Sequence, residues 1–190
     1  MKKKSLALLV AVVLVIGCVI GGTLAWLTDS TEQVKNTFTT SDIDITLAET
    51  TGTGYKMVPG YTIAKNPKAT VLIGSEECYL FVKLEKSSNF DKYMEYEVAD
   101  GWTELTSVVG VSGVYYREVK TADMGTGYSV LLNDQVTVKG SVTKEMMNSL
   151  EQNTYPTLTV TAYASQLYKN NTQIFTPAEA WANVSNPAGN

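Results

Sequence analysis

Histidine is absent from all 190 residues. That removes Ser-His-Asp and Cys-His catalysis, His-ligated zinc, and the commonest general base near neutral pH. Cysteine is nearly absent. Cys18 lies in an apolar leader and Cys78 stands alone beyond it, so neither an intramolecular disulfide nor a Cys-rich metal site can be built. Acidic residues are missing before Asp29. Setting residues 1–25 aside removes three of the 15 basic residues and none of the 19 acidic ones, which leaves a net charge of −7. The remaining lysines are scattered and form no basic stripe, which argues against nucleic acid as a partner. No Gly-rich phosphate loop follows an expected strand, because the glycines fall in turns. There is no repeat at a 20–50-residue period and no low-complexity linker. With 44% hydrophobic residues, one domain with a proper core is expected.

What is present begins with the leader. Lys2, Lys3 and Lys4 precede an apolar run from Leu6 to Ile20, followed by Gly21-Gly22-Thr23-Leu24-Ala25. This is the n-region, h-region and small-residue exit of a secretory signal peptide spanning 1–25. Thr23 and Ala25 suit the −3 and −1 positions, which puts the cut between Ala25 and Trp26. Two other readings stand beside it. The uncharged stretch from Ser5 to Thr28 is long enough to remain as a membrane anchor, and Val15-Ile16-Gly17-Cys18 resembles a lipobox that would acylate Cys18. Contact with the membrane is expected only before cleavage.

Beyond the leader, the pattern is that of strands. Residues 42–48 alternate Asp42, Asp44 and Thr46 against Ile43, Ile45 and Leu47. In 77–85, Cys78, Leu80, Val82 and Leu84 share one face and Tyr79 and Phe81 the other. Cys78 is thus expected in the core as a small hydrophobe. In 157–164, Leu158, Val160, Ala162 and Ala164 oppose Thr157, Thr159, Thr161 and Tyr163. Further strands are expected at 69–73, 113–119, 128–132 and 135–140. Turns are read at Pro59-Gly60, Asn66-Pro67, Asp100-Gly101, Gly125-Thr126-Gly127 and Asn133-Asp134. One or two short helices interrupt the strands. Thr143 caps the first, and Thr176-Pro177-Ala178-Glu179 is a capping box that opens the second through Trp181. The fold class is all-β, a jelly-roll-like β-sandwich over 42–184, with an extended segment at 26–41 before it and a frayed tail at 185–190.

Carboxylates are plentiful, and Asp42/Asp44, Glu76/Glu77 and Glu95/Glu97 offer acid/base pairs or oxygen ligands for calcium on paper. At i, i+2 spacing, Asp42 and Asp44 read as the solvent face of a strand, which also discourages edge pairing. Tyr79 and Phe81 offer a sugar-stacking platform or, more plainly, the filling of a sheet face. No catalytic residue, cofactor or metal ligand is assigned, and the chain is read as a non-enzyme.

The segment Gly21-Gly22-Thr23-Leu24-Ala25-Trp26-Leu27-Thr28-Asp29, then Asn36-Thr37-Phe38-Thr39 and Asp42-Ile43-Asp44-Ile45, resembles the start of the camelysin/TasA family. Val58-Pro59-Gly60 with Lys65-Asn66-Pro67 resembles that family's Pro-Gly turn leading into a strand that carries an Asn. Thr176-Pro177-Ala178-Glu179-Ala180-Trp181 resembles the end of its short members. The resemblance implies a jelly roll exported by Gram-positive bacteria, cut by a signal peptidase of the SipW type. It also implies a place in the extracellular matrix or at the cell surface, among proteins that polymerise into biofilm-matrix fibres. Some relatives are classed as metallopeptidases, and without histidine no such ligand carries over.

The expected function is a secreted or cell-surface structural protein whose partner is itself. Residues 26–38 carry apolar anchors only at Trp26, Leu27, Val34 and Phe38, too sparse to pack firmly yet suited to donation as a strand to a neighbour's sheet edge. A flexible spacer is the competing reading of that segment. The alternative functions are a surface adhesin or carbohydrate-binding module tethered through an uncleaved N-terminus, and an enzyme of carboxylate or Ser/Lys mechanism.

Overall fold

Strand β4 (Cys78–Lys86) organises the molecule, and its sequence explains why. Cys78, Tyr79, Leu80, Phe81 and Val82 are all buried, a near-continuous apolar run that only a central strand covered on both faces can satisfy. The computed structural model describes residues 42–52 and 54–185. Twelve strands are formed there. Besides β4 they are β1 (Ile45–Ala48), β2 (Thr62–Ala64), β3 (Lys68–Val71), β5 (Met94–Glu95), β6 (Thr103–Glu104), β7 (Val114–Val119), β8 (Gly127–Ser129), β9 (Gln135–Val138), β10 (Leu158–Gln166), β11 (Tyr168–Asn170) and β12 (Gln173–Ile174). Helices α1 (Phe90–Tyr93), α2 (Lys144–Asn148) and α3 (Pro177–Ser185) join them, and none is long and apolar enough to cross a membrane. All pairings are antiparallel, so the described chain is all-β with short helices.

The first sheet has the order β10-β4-β7-β6. Facing it are two three-stranded sheets, β1-β3-β8 and β2-β9-β5. These two are nearly continuous. The amide of Val130 donates to the Pro67 carbonyl (3.0 Å) and that of Lys65 to the Asp134 carbonyl (2.8 Å), so 62–71 runs against 127–138 with one interruption. The interruption falls where Asn133 and Asp134 take left-handed φ of 55° and 54°. The expected strand over 128–132 therefore stops at Ser129. Asn66-Pro67 is likewise no reversal of the chain: it links β2 to β3, with Pro67 buried. Asn66 accepts at Oδ1 from the amides of Thr50 (3.0 Å) and Thr51 (3.2 Å) and so pins the 49–55 loop.

Two apolar clusters follow from the period of two along β4. Cys78, Leu80, Val82 and Leu84 face the main core between the sheets, with Val71, Val119, Leu131 and Val138 among their partners. Tyr79 and Phe81 face outward and are roofed by α3, whose Trp181 ring lies 5.4 Å from Phe81 and 5.3 Å from Tyr163. The expected faces of 77–85 and 157–164 both hold. The capping box holds as well. The Glu179 amide donates to Thr176 Oγ1 (3.3 Å) and the Thr176 amide donates to Glu179 Oε2 (2.8 Å). Lys169 first, then Thr176, hold the Glu179 carboxyl down to about 2. Thr143 caps α2 by accepting from the Met146 amide.

The sequence reading departs from the structure at the short elements. A third helix, α1, is present, and β2, β5, β6, β11 and β12 are strands of two or three residues. The first strand begins at Ile45 rather than 42. The carbonyls of Asp42 and Asp44 still accept from the amides of Glu76 (3.0 Å) and Leu72 (2.8 Å), which keeps Ile43 against the core. Leu47, expected on the buried face, is 38% exposed.

Cys78 tests the main core. Its side chain is fully buried, and burial pushes the thiol up to about 11, so it stays protonated and inert at neutral pH. Cys78→Ser puts a hydroxyl among apolar neighbours and is expected to cost about 1–3 kcal/mol in urea denaturation. Thiol reagents should label the native chain only at the rate of unfolding. Fast labelling would show an exposed thiol.

Candidate functional site

The sequence-derived site residues Ala25, Trp26, Leu27, Val34 and Phe38 lie outside the described residues, as does Cys18. Their expected counterpart, a sheet edge able to receive a strand, lies within them.

That edge is β10. Among the described residues it is the terminal strand of its sheet and pairs with β4 alone, in a register running from Leu158↔Lys86 to Gln166↔Cys78. The bonds that flank the ladder, Ser87 amide to Thr157 carbonyl (3.0 Å) and Leu167 amide to Glu77 carbonyl (2.9 Å), fix its phase. In an antiparallel pair, alternate residues bond to the partner and the others turn away. The odd-numbered residues of β10 thus bond to β4. Leu158, Val160, Ala162, Ala164 and Gln166 direct their N–H and C=O groups to the other side. Among the described residues, nothing pairs with them.

Natural edges are kept short, charged or interrupted by proline, because unpaired backbone recruits other chains. The other terminal strands obey this: β5 and β6 have two residues each and β1 has four. β10 does not. It has nine residues, Leu-Thr-Val-Thr-Ala-Tyr-Ala-Ser-Gln, with neither charge nor proline, and extends about 30 Å.

Two cavities lie beside the edge, the first mainly apolar and the second mainly polar. At one end a cavity of about 500 Å³ is lined by Leu47, Pro67, Phe90, Met94, Leu158 and Val160. At the other end a cavity of about 610 Å³ is lined by Ile43, Ala164, Phe175 and Val184 together with Asp42, Glu76, Glu77, Ser165, Gln166 and Asn183. The four inward side chains of β10, Leu158, Val160, Ala162 and Ala164, are only partly buried. β1 flanks the same groove, with Ile43 beside the Ala164 end and Leu47 beside the Leu158 end. β1 itself lies against β10.

Asp42 and Asp44 are exposed. Glu77 accepts from the Thr121 amide (3.2 Å), the Tyr168 hydroxyl (3.0 Å) and Lys120 (3.4 Å), and the Thr121 amide foremost holds its carboxyl below the usual range. Among the described residues, no three acidic or cysteine side chains converge on a point that would hold a metal. Tyr79 and Phe81 lie beneath α3, with the Tyr79 hydroxyl donating to the Phe175 carbonyl (3.0 Å), so they offer no face to a sugar.

Sequence reasoning placed β10 and its two faces but missed that it is an edge. The uncharged run Leu158–Gln166 was the available signal. In comparisons with protein-family models, with curated proteins and with solved structures, nothing matches this chain.

Proposed function

We propose that this is an exported structural protein that assembles with copies of itself, each chain giving residues 26–38 as a strand to the β10 edge of the next. The observation that carries this reading is the nine-residue edge without charge or proline, beside a groove open to the core. An added strand would satisfy five outward backbone positions and cover the half-buried side chains of β10. Val34 and Phe38 share one side of an extended strand and stand about 13 Å apart. The two cavities beside β10 border residues 156–160 and 164–166. The described chain begins at Asp42 beside one cavity and runs as β1 towards the other. Donation to a neighbour does not close on itself and propagates as a filament.

The finer fold fits this role. The pairings nest, with 78–86 against 114–119 inside 62–71 against 127–138, and 45–48 flanks the groove beside 158–166 outside both. Such nesting supports a jelly-roll-like winding. A cut between Ala25 and Trp26 by a SipW-type signal peptidase would free the donor segment from the membrane. Edman sequencing of secreted material is then expected to read Trp-Leu-Thr-Asp, and recovery of full-length membrane-bound chain alone would show an anchor instead.

The assembly test compares two chains. One starting at Trp26 should form filaments in electron micrographs. One starting at Asp42 should fold and stay monomeric, and should take up a synthetic 26–38 peptide with a rise in melting temperature. Equal polymerisation of the shorter chain would sink strand donation. A second reading, a carbohydrate-binding surface, is favoured by a cleft of about 740 Å³ lined by Tyr96, Tyr115, Glu104 and Lys86. Glycan-array binding that is lost in Tyr115→Ala would support it.

A further inference from the structure

Strand β4 outlasts its partner β7. Its ladder with β10 continues to Lys86, whereas that with β7 ends at Lys83↔Val114. One more bond follows, from the Leu84 amide to the Gly113 carbonyl (2.8 Å). Backbone groups alternate in direction along an antiparallel strand. Lys86 therefore turns its N–H and C=O the same way as Leu84, into the notch that β7 leaves, and among the described residues neither group has a partner. The notch is the cleft of about 740 Å³ bordered by Lys86, Tyr96, Glu104, Ser112, Tyr115 and Trp181.

Trp181 is 5% exposed and borders the cleft, yet among the described residues its indole N–H has no partner. Trp102 shows the contrast, since its indole N–H donates to the Ser129 carbonyl (2.9 Å). A buried indole ordinarily finds an acceptor. Among the described residues, only Arg117 Nε and Asp134 Oδ1 are sealed from solvent without a partner, so the Trp181 nitrogen is open to the cleft. The Tyr96 and Tyr115 hydroxyls also lack partners among the described residues, and both rings are half-buried. Burial pushes the Tyr96 hydroxyl up to about 12, which keeps it a neutral donor.

Charge and backbone narrow the ligand. Lys83 pairs with Glu85 and Lys86 with Asp91, both at 2.7 Å. Glu104 has no ion pair among the described residues. The cleft thus offers an acid no unpaired cation, and it offers hydroxyl donors a free carboxylate and the Lys86 carbonyl. A peptide strand is a poor fit, because strand addition needs several open backbone positions and β4 leaves one here. Two neighbouring hydroxyls of a sugar can accept from the Lys86 N–H and donate to its C=O. We infer that this cleft binds a neutral oligosaccharide of about two or three units, its hydroxyls held by the Trp181 indole N–H and the Lys86 backbone. The inference rests on the carbohydrate-binding reading of the same cleft, and adds the class of sugar and the residues that select it.

The full chain, isotope-labelled, is titrated with maltotriose, cellotriose and N-acetylated chitotriose, and with trigalacturonate as the acidic probe. Proton–nitrogen spectra should show the Trp181 indole N–H and the Lys86 amide shifting saturably with at least one neutral sugar, while the Trp102 indole stays in place. Half-saturation should lie about fivefold or more below that for trigalacturonate, which Glu104 repels. Trp181→Phe keeps a ring and loses the N–H, and Tyr115→Phe loses only a hydroxyl. Each should weaken binding about three- to tenfold. Tyr115→Phe decides alone if Trp181→Phe does not fold. Saturable binding of trigalacturonate alone would overturn the neutral class and leave the carbohydrate reading standing. Neutral-sugar binding that these variants leave unchanged would overturn the assignment to this cleft. No saturable shift with any of the four sugars would overturn both readings.

Discussion

Gly113→Ala should destabilise the chain by about 3 kcal/mol or more, through a clash added to backbone strain. Gly113 sits at φ +69°, where a side chain is already disfavoured, and a Cβ there would lie 2.5 Å from the backbone oxygen of Leu84. That oxygen cannot rotate away. The Leu84 amide also donates to the Gly113 carbonyl at 2.8 Å, so relief requires prising β4 from β7 at the end of their ladder. Gly110 supplies the control. Its φ is +79° and nothing lies within 4 Å of its built Cβ, so Gly110→Ala should cost only the left-handed penalty of about 1–2 kcal/mol. Denaturant midpoints of the two variants separate the terms. Equal losses would mean that β4 and β7 part easily, and that the close approach is not structural.

Trp181→Ala is expected to cost about 3–5 kcal/mol, a large share of the roughly 5–15 kcal/mol that holds a domain folded. Trp181 is 5% exposed and is the main contact of α3 with the sheet, meeting Phe81 and Tyr163 edge-on or tilted. A nine-residue helix is not stable alone, so loss of the indole should free α3 and uncover Tyr79 and Phe81. Amide exchange over 177–185 should then approach the unprotected rate, while the Cys78 thiol on the opposite face of β4 stays protected. Protection retained in α3 would show that its capping box and Ala180 suffice. Val184→Ala, at a half-buried position, should cost about 1 kcal/mol by comparison.

The long strands were legible because period-two alternation survives wherever a sheet separates two environments. Cys78 through Leu84 and Leu158 through Ala164 could be assigned face by face, although Tyr79 and Phe81 gave no sign that a helix would cover them. Thr176 and Glu179 announced that helix locally, since a capping box depends on four adjacent residues. α1, β5 and β6 left no such trace: a strand of two residues has no period, and distant partners hold it in place. β6 exists because Glu104 and Thr103 meet Tyr115 and Tyr116. Asn66 shows the same limit. Asn-Pro reads as a turn, yet here its amide carbonyl captures Thr50 and Thr51 from across the loop.

By itself the sequence determined which residue chemistries are ruled out and the alternating faces. The absence of histidine and the lone Cys78 are facts of composition, and alternation is enforced by the pleat of the backbone. Tertiary structure alone decided what lies beside what. That β10 ends its sheet among the described residues, and that Leu47 and Val160 border one cavity, both depend on strand order. Strand order is set by long-range pairing, in which residues tens of positions apart compete for the same edge, and no local pattern encodes the winner.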